Sequence, residues 1–252
     1  MSKINKIQYI SPLANLVMEL NDQLLIATHI DKSTTALKAT PTLLQTIKKF
    51  LNSESHQELI SWMNKIEKDS VQTIKDSERI LMNDFFKTNQ HIFISMWNSL
   101  QTAIENSLTE LLKKADVRAD LMNSDIPNKL KNMLKNETDE DNYRWFLSKW
   151  QTKGNNKTEY TESKLLYFDL GGDISEDLKT GLIEMNTLRN CLVHRAGIAD
   201  MKTVKQAPSL NLTVNQEIQI SRDMLLKYHK ISGNYGTELM GRAIKCKYLH
   251  SP

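Results

Sequence analysis

Glycine and proline are both scarce in this chain, with 8 and 5 among 252 residues. That scarcity argues against a turn-rich β fold and favours long helices. Cysteine is scarcer still. Cys191 and Cys246 are the only two, and no CxxC or Cys/His spacing suggests a zinc site. Two buried thiols in a reducing compartment are the plain reading. No apolar run approaches the ~18 residues that a membrane span needs. The opening MSKINKIQYISP lacks the apolar stretch of a signal peptide, so a cytoplasmic location is expected. Net charge is also small, at +3, so charge alone does not mark a nucleic-acid binder and a local basic patch would have to do so. The chain shows no internal repeat and no low-complexity segment.

What is present has the balance of a soluble globular protein: 40% apolar and 25% charged residues exclude a disordered chain. Ser11-Pro12 and Thr40-Pro41 each look like an N-cap followed by proline in the first turn. The first predicts a helix over about 11–30, with Leu13, Leu16, Val17, Leu20 and Leu24 at helical spacing. The second predicts another, through Leu43, Leu44, Ile47, Phe50 and Leu51. Residues 57–85 carry a third helical pattern with a break near Ser70. The strongest stripe runs from about 90 to 115 through Phe93, Met96, Trp97, Leu100, Ile104, Leu108, Leu111 and Leu112. A shorter helix is expected after Pro127. The polar stretch 137–164 reads as loop around a short aromatic helix (Tyr143, Trp145, Phe146, Trp150), and Gly171-Gly172 as a break.

A further helix is expected from Asp173 or Ser175, with Glu176 and Asp177 in its first turn and Gly197 as its stop. Leu210, Leu212 and Val214, then Ile218 and Ile220, alternate around Asn215-Gln216, which predicts a short β-hairpin. Ser221 caps a last helix, with Gly233 and Gly236 as points of interruption. The expected fold is mainly α: an up-and-down helical bundle with a small inserted hairpin near its C-terminal part.

The chemistry concentrates at Arg189-Asn190-Cys191-Leu192-Val193-His194, at the end of an amphipathic helix. Histidine titrates near neutral pH and serves as proton acceptor or donor. Arginine stays charged and matches phosphate oxygens with a planar fork. Asn190 lies four residues before His194, so the two share a helix face. Arg189 and His194 are five residues apart, about 140° around an ideal helix, and converge poorly within one straight helix. Either His194 leaves the helical path near Gly197, or two subunits pool their motifs.

An arginine, a polar residue and a histidine at this spacing resemble the signature of the HEPN superfamily. The order of elements is similar too: an aromatic-rich helix, a polar stretch, the motif helix and a closing helix. The resemblance covers roughly residues 86–250, which divides the chain into a helical region of unknown role, 1–85, and a HEPN-like domain, 86–252. It implies a metal-independent endoribonuclease that cleaves RNA by 2′-OH attack, with catalytic Arg189, Asn190 and His194 and no cofactor. It also implies a homodimer with facing motifs, and a setting in toxin–antitoxin or antiviral systems with a corresponding protein partner. Many members look non-catalytic, so a module for dimerisation or for RNA, nucleotide or protein binding is the alternative. Arg195 offers a further contact to RNA, or is a solvated helix-end arginine. Glu105 and Glu110 could orient the motif or be ordinary surface carboxylates. Trp145 and Trp150, among Arg144, Lys149 and Lys153, could stack bases or anchor loops, and Trp62 and Trp97 read as anchors. His29, His56, His91, His229 and His250 fall in no metal-ligand spacing.

Overall fold

The computed structural model of the chain describes residues 6–49, 57–135 and 139–249. Among them are nine α-helices, two 3-10 turns and no sheet. The first two helices, α1 (Lys6–Lys48) and α2 (Gln57–Leu112), are 43 and 56 residues long. At 1.5 Å per residue they reach about 65 and 84 Å. They pack against each other along their length. Near the far end Gln45 donates to Glu67 at 2.7 Å, and Lys48 meets both Asn64 and Glu67.

Both proline signals mark positions inside α1, not starts of helices. A proline inside a helix costs about 3 kcal/mol. Leu13, Leu16 and Leu20, each almost fully buried, follow Pro12 on one face. Burial of each contributes roughly 1.5–3 kcal/mol, which outweighs that cost. Just before Pro41 the Thr40 hydroxyl donates to Ala36 O, one turn back, at 3.1 Å. Phe50 and Leu51 lie outside the described residues, as do the side chains of Leu81 and Phe85. Ser70 does not break α2 either. It is buried, as is Met63 one face-repeat earlier, so a small residue serves the seam with α1. The helices expected over 57–85 and 90–115 are therefore one, and the division at residue 85 falls within it.

The C-terminal half of α2 forms the centre of the bundle with α5 (Glu140–Lys149), α7 (Glu176–His194) and α9 (Arg222–Lys245). The first half of α1 lies on α2 and α9. Phe93, Met96 and Leu100 of α2 meet Leu182, Met185 and Leu188 of α7 and Tyr228, Tyr235 and Leu239 of α9 in one cluster. Gly236 does not interrupt α9. A Cβ there would come within 3.3 Å of Leu16 Cδ2, so the glycine lets α1 lie close. α4 (Asn128–Lys135) follows Pro127 as expected, whereas α3 (Ala115–Asn123) forms before it, where no helix was expected.

Two further expectations fail. Residues 157–166, read as loop, form α6 (Lys157–Leu166). Asn156 caps it by accepting from Glu159 N at 3.0 Å. The hairpin is absent. A short helix, α8 (Met201–Gln206), precedes the stretch read as its first arm, a 3-10 turn at Pro208–Leu210 opens that stretch, and Asn211 and Asn215 take positive φ. The second arm runs beside residues 197–199, through Ile218 N to Gly197 O at 2.8 Å and Ala199 N to Gln216 O at 2.9 Å. Two further carbonyls are met by α2 side chains: Asn89 donates to Ile220 O and Gln90 to Ile218 O. Ile218 and Ile220 alternate because they bury into helices, not because they pair with a second strand.

Candidate active site

Ser175 caps α7 by accepting from Leu178 N at 3.3 Å, with Glu176 and Asp177 in the first turn. Leu182, Met185, Leu188 and Cys191 bury one face of the helix. The opposite face carries Asn186, Arg189 and Asn190, all half-buried, and then His194, exposed at the last turn. The stop is a left-handed turn. Ala196 and Gly197 have φ of 51° and 78°, and the amides of Arg195 and Gly197 both return to Cys191 O. The Cys191 thiol donates onward to Ile198 O at 3.0 Å, and burial pushes its pKa up. It is a packing residue of the turn.

Arg189 and His194 converge within one chain while both remain in the regular helix. The guanidinium covers the angular gap by its own length: Arg189 Nη1 lies 3.4 Å from His194 Nε2 and 3.2 Å from Asn190 Oδ1. Neither escape anticipated from the 140° separation is required for this contact. A guanidinium only donates, so in this contact His194 Nε2 is on the accepting side. Asn190 in turn donates to Asn186 Oδ1 at 3.4 Å. Arg189 Nε is buried with no partner, and among the described residues no carboxylate pairs with Arg189.

Arg195 reaches away from this cluster to Asp200, at 3.0 Å. Asp200 also caps α8 through Thr203, and the Thr203 hydroxyl and amide hold its pKa below the usual range, with Arg195 adding to the effect. Glu110 bonds Lys113 at 2.5 Å on another face of the bundle. Glu105 does lie near the motif, in a groove of 730 Å³ walled by α2, α5, α6 and α7. Arg189, Asn190 and Asn186 line the same groove, with Trp97 and Trp150 in its floor. Trp150 is a core anchor, within 5.0 Å of Tyr167 and 5.3 Å of Phe146. Trp97 is likewise buried, whereas Trp62 and Trp145 are exposed and lie outside the core. Lys149 lies over the Trp145 ring at 5.8 Å, and Arg144 is tied to Asn106 and Glu140.

The groove's α6 wall, made by Lys157, Tyr160 and Lys164, was not anticipated from the sequence. Lys164 donates to Leu147 O at 2.7 Å and sits 5.9 Å from the Trp150 ring. Burial, reinforced by Lys157 and opposed by Glu105, lowers its pKa to about 8. The Asn156-x-x-Glu159 spacing is a capping signal that would have revealed this helix. Asn186, three residues before Arg189, was legible as a polar residue on the motif face. His229 is a structural residue, 3.1 Å from Asn21 Oδ1 and lowered in pKa by burial, while His56 and His250 lie outside the described residues. Among the described residues no cluster of three or more His, Cys, Asp or Glu could hold a metal ion, and no helix is long and apolar enough to cross a membrane.

No family model, no curated protein and no solved structure matches this chain.

Proposed function

We propose that this chain is a metal-independent endoribonuclease of the HEPN type, with Arg189, Asn190 and His194 as its catalytic residues. One observation carries the reading: a half-buried guanidinium that no carboxylate among the described residues neutralises points at an exposed imidazole. A structural arginine at a helix end normally has a carboxylate or carbonyl to hold it. An arginine left with spare donors suits an incoming phosphate.

In the proposed reaction His194 accepts the proton of an RNA 2′-hydroxyl. The 2′-oxygen bonds to the adjacent phosphorus, the bond from phosphorus to the 5′-oxygen breaks, and that oxygen takes up a proton. Arg189 leaves the imidazole for the phosphate and offsets charge on the phosphorane, freeing Nε2 as the base. Asn190 orients both groups. The products are a 2′,3′-cyclic phosphate and a 5′-hydroxyl. One chain brings a single imidazole to this point, whereas the reaction needs a proton acceptor and a proton donor. A homodimer with facing motifs supplies the second. Within a toxin–antitoxin or antiviral system, a partner protein would hold such an enzyme off until needed.

The test is a digest of total RNA and tRNA in EDTA, comparing wild type with His194→Ala and Arg189→Lys. The expected result is cleavage by wild type only, with cyclic-phosphate ends. Cleavage by His194→Ala at the wild-type rate would sink the proposal. The second reading is a non-catalytic module that binds RNA, a nucleotide or a protein. The contact of Arg189 with Asn190 favours it, because the motif partly satisfies itself. Motif-dependent cutting rules it out.

A further inference from the structure

We propose that the groove walled by α2, α5, α6 and α7 is a subsite for single-stranded RNA beside the motif, where Lys157 and Lys164 hold a backbone phosphate and Tyr160 stacks a base. The inference rests on the ribonuclease reading for its substrate, and its test is independent of cleavage.

Charge singles out this groove. Lys157, Lys164 and Arg189 face one carboxylate, Glu105. The groove between α1, α2 and α5 sets Glu19, Glu110 and Glu140 against Lys113 and Arg144. The groove between α7 and α9 sets Asp173, Asp177, Glu184 and Glu238 against Lys227 and Lys230. Of these three, only the groove that contains the motif arginine offers an anion more cations than carboxylates, in a chain whose net charge of +3 does not by itself mark a nucleic-acid binder.

The chemistry of the walls selects single strands. Tyr160 is 39% exposed and presents an aromatic face, and the amides of Asn98, Gln101 and Asn186 can meet base edges. In a duplex the bases are stacked and their faces are not available to a tyrosine. At 730 Å³ the groove has the dimensions of small-ligand clefts, which suits one or two nucleotides and not a helix. The Lys164 amine is fixed in place by its bond to Leu147 O. With Lys157 beside it and water partly excluded, its positive charge is poorly compensated in the free protein. A phosphate provides the compensation.

The experiment measures binding of a fluorescent, fully 2′-O-methylated octanucleotide to the full chain by anisotropy, single-stranded and annealed to its complement. The probe lacks the attacking hydroxyl and is not cleaved. Wild type is expected to prefer the single strand. Lys157→Ala and Tyr160→Ala, both at exposed positions, should each weaken binding about tenfold, and Lys157→Ala should also flatten its salt dependence by about one phosphate contact. Lys230→Ala, at an exposed position in the groove between α7 and α9, should bind as wild type does. Equal affinity for duplex, unchanged binding by both groove variants, or no binding by wild type would each overturn the proposal. If RNA is never cleaved but the groove variants still lose binding, the ribonuclease reading falls and the subsite stands.

Discussion

Replacing Lys164 with methionine should leave the protein as stable as wild type near pH 7, or more so, and should reverse that order in alkali. In the folded chain burial pushes Lys164 from 10.5 down to about 8, helped by Lys157 and opposed by Glu105. A pKa difference of one between folded and unfolded chains is worth about 1.4 kcal/mol, so this fall gives about 3 kcal/mol of penalty for carrying the charge at neutral pH. The side chain is partly exposed, so solvent screening reduces this to roughly 1.5–3 kcal/mol. Against it stands the bond to Leu147 O, a last-turn carbonyl of α5 that the chain itself leaves open, worth about 1 kcal/mol. Methionine keeps the stem's packing on Trp150 and removes the charge. Near pH 7 the variant should therefore lie between equal stability and about 2 kcal/mol above wild type. Between about pH 8 and 10.5 the unfolded chain holds more of a proton at this lysine than the folded chain does, so wild-type stability gains on the variant as pH rises. The assay is urea denaturation of both proteins at several values from about pH 7 to 10. The difference between them removes every other titrating group. A difference that stays flat with pH, or moves in the variant's favour, would refute the placement of this amine.

Other positions give sharper structural tests. Arg242 is buried, 2.7 Å from Glu162, and also donates to the carbonyls of Leu170 and Gly172. Arg242→Met should cost about 3 kcal/mol in the same denaturation assay, because it strands a carboxylate and two carbonyls. Asn89→Ala should cost about 1–2 kcal/mol by orphaning Ile220 O, and hydrogen exchange should speed locally in residues 215–220. Gly197→Ala meets no steric conflict but must hold φ near 78°, so it should lose about 1 kcal/mol and, through the turn after His194, reduce RNA cleavage more than Gly241→Ala.

The parts of the fold that could be read from sequence were those where periodicity and caps agreed. The α7 start at Ser175, the stop at Gly197 and the α9 cap at Ser221 all hold. The misreadings share a cause: a local signal was given the weight of an element. Ser11-Pro12 and Thr40-Pro41 carry the chemistry of helix starts, but burial of Leu13, Leu16 and Leu20 carries α1 past Pro12, and past Pro41 polar contacts of Gln45 and Lys48 with Asn64 and Glu67 tie it to α2. The alternation around residues 210–220 is real, yet its burial partner is a pair of helices. The loop reading of 157–166 had the opposite fault, because polarity hid a capped helix whose buried positions, Thr158 and Leu165, are few. The motif residues could be found because their identities carry the chemistry. The groove beside them could not, because its walls come from four segments that only the fold brings together.

The convergence of Arg189 and His194 depends on how the helix ends more than on the helix itself. Five residues of separation place the two side chains on different flanks, and only a long side chain reaching over an unobstructed last turn can join them. The chain keeps that turn clear by folding away sharply. Two consecutive left-handed residues reverse its direction, Cys191 secures Ile198, and the segment 215–218 clamps residues 197–199. Gln90 on α2 then fixes the clamp through Ile218 O. Arg195, the residue that could have crowded the imidazole, is drawn off by Asp200. Without forming a sheet, the region read as a hairpin thus serves to hold the chain away from His194. An exposed imidazole beside a guanidinium that no carboxylate among the described residues neutralises is the result.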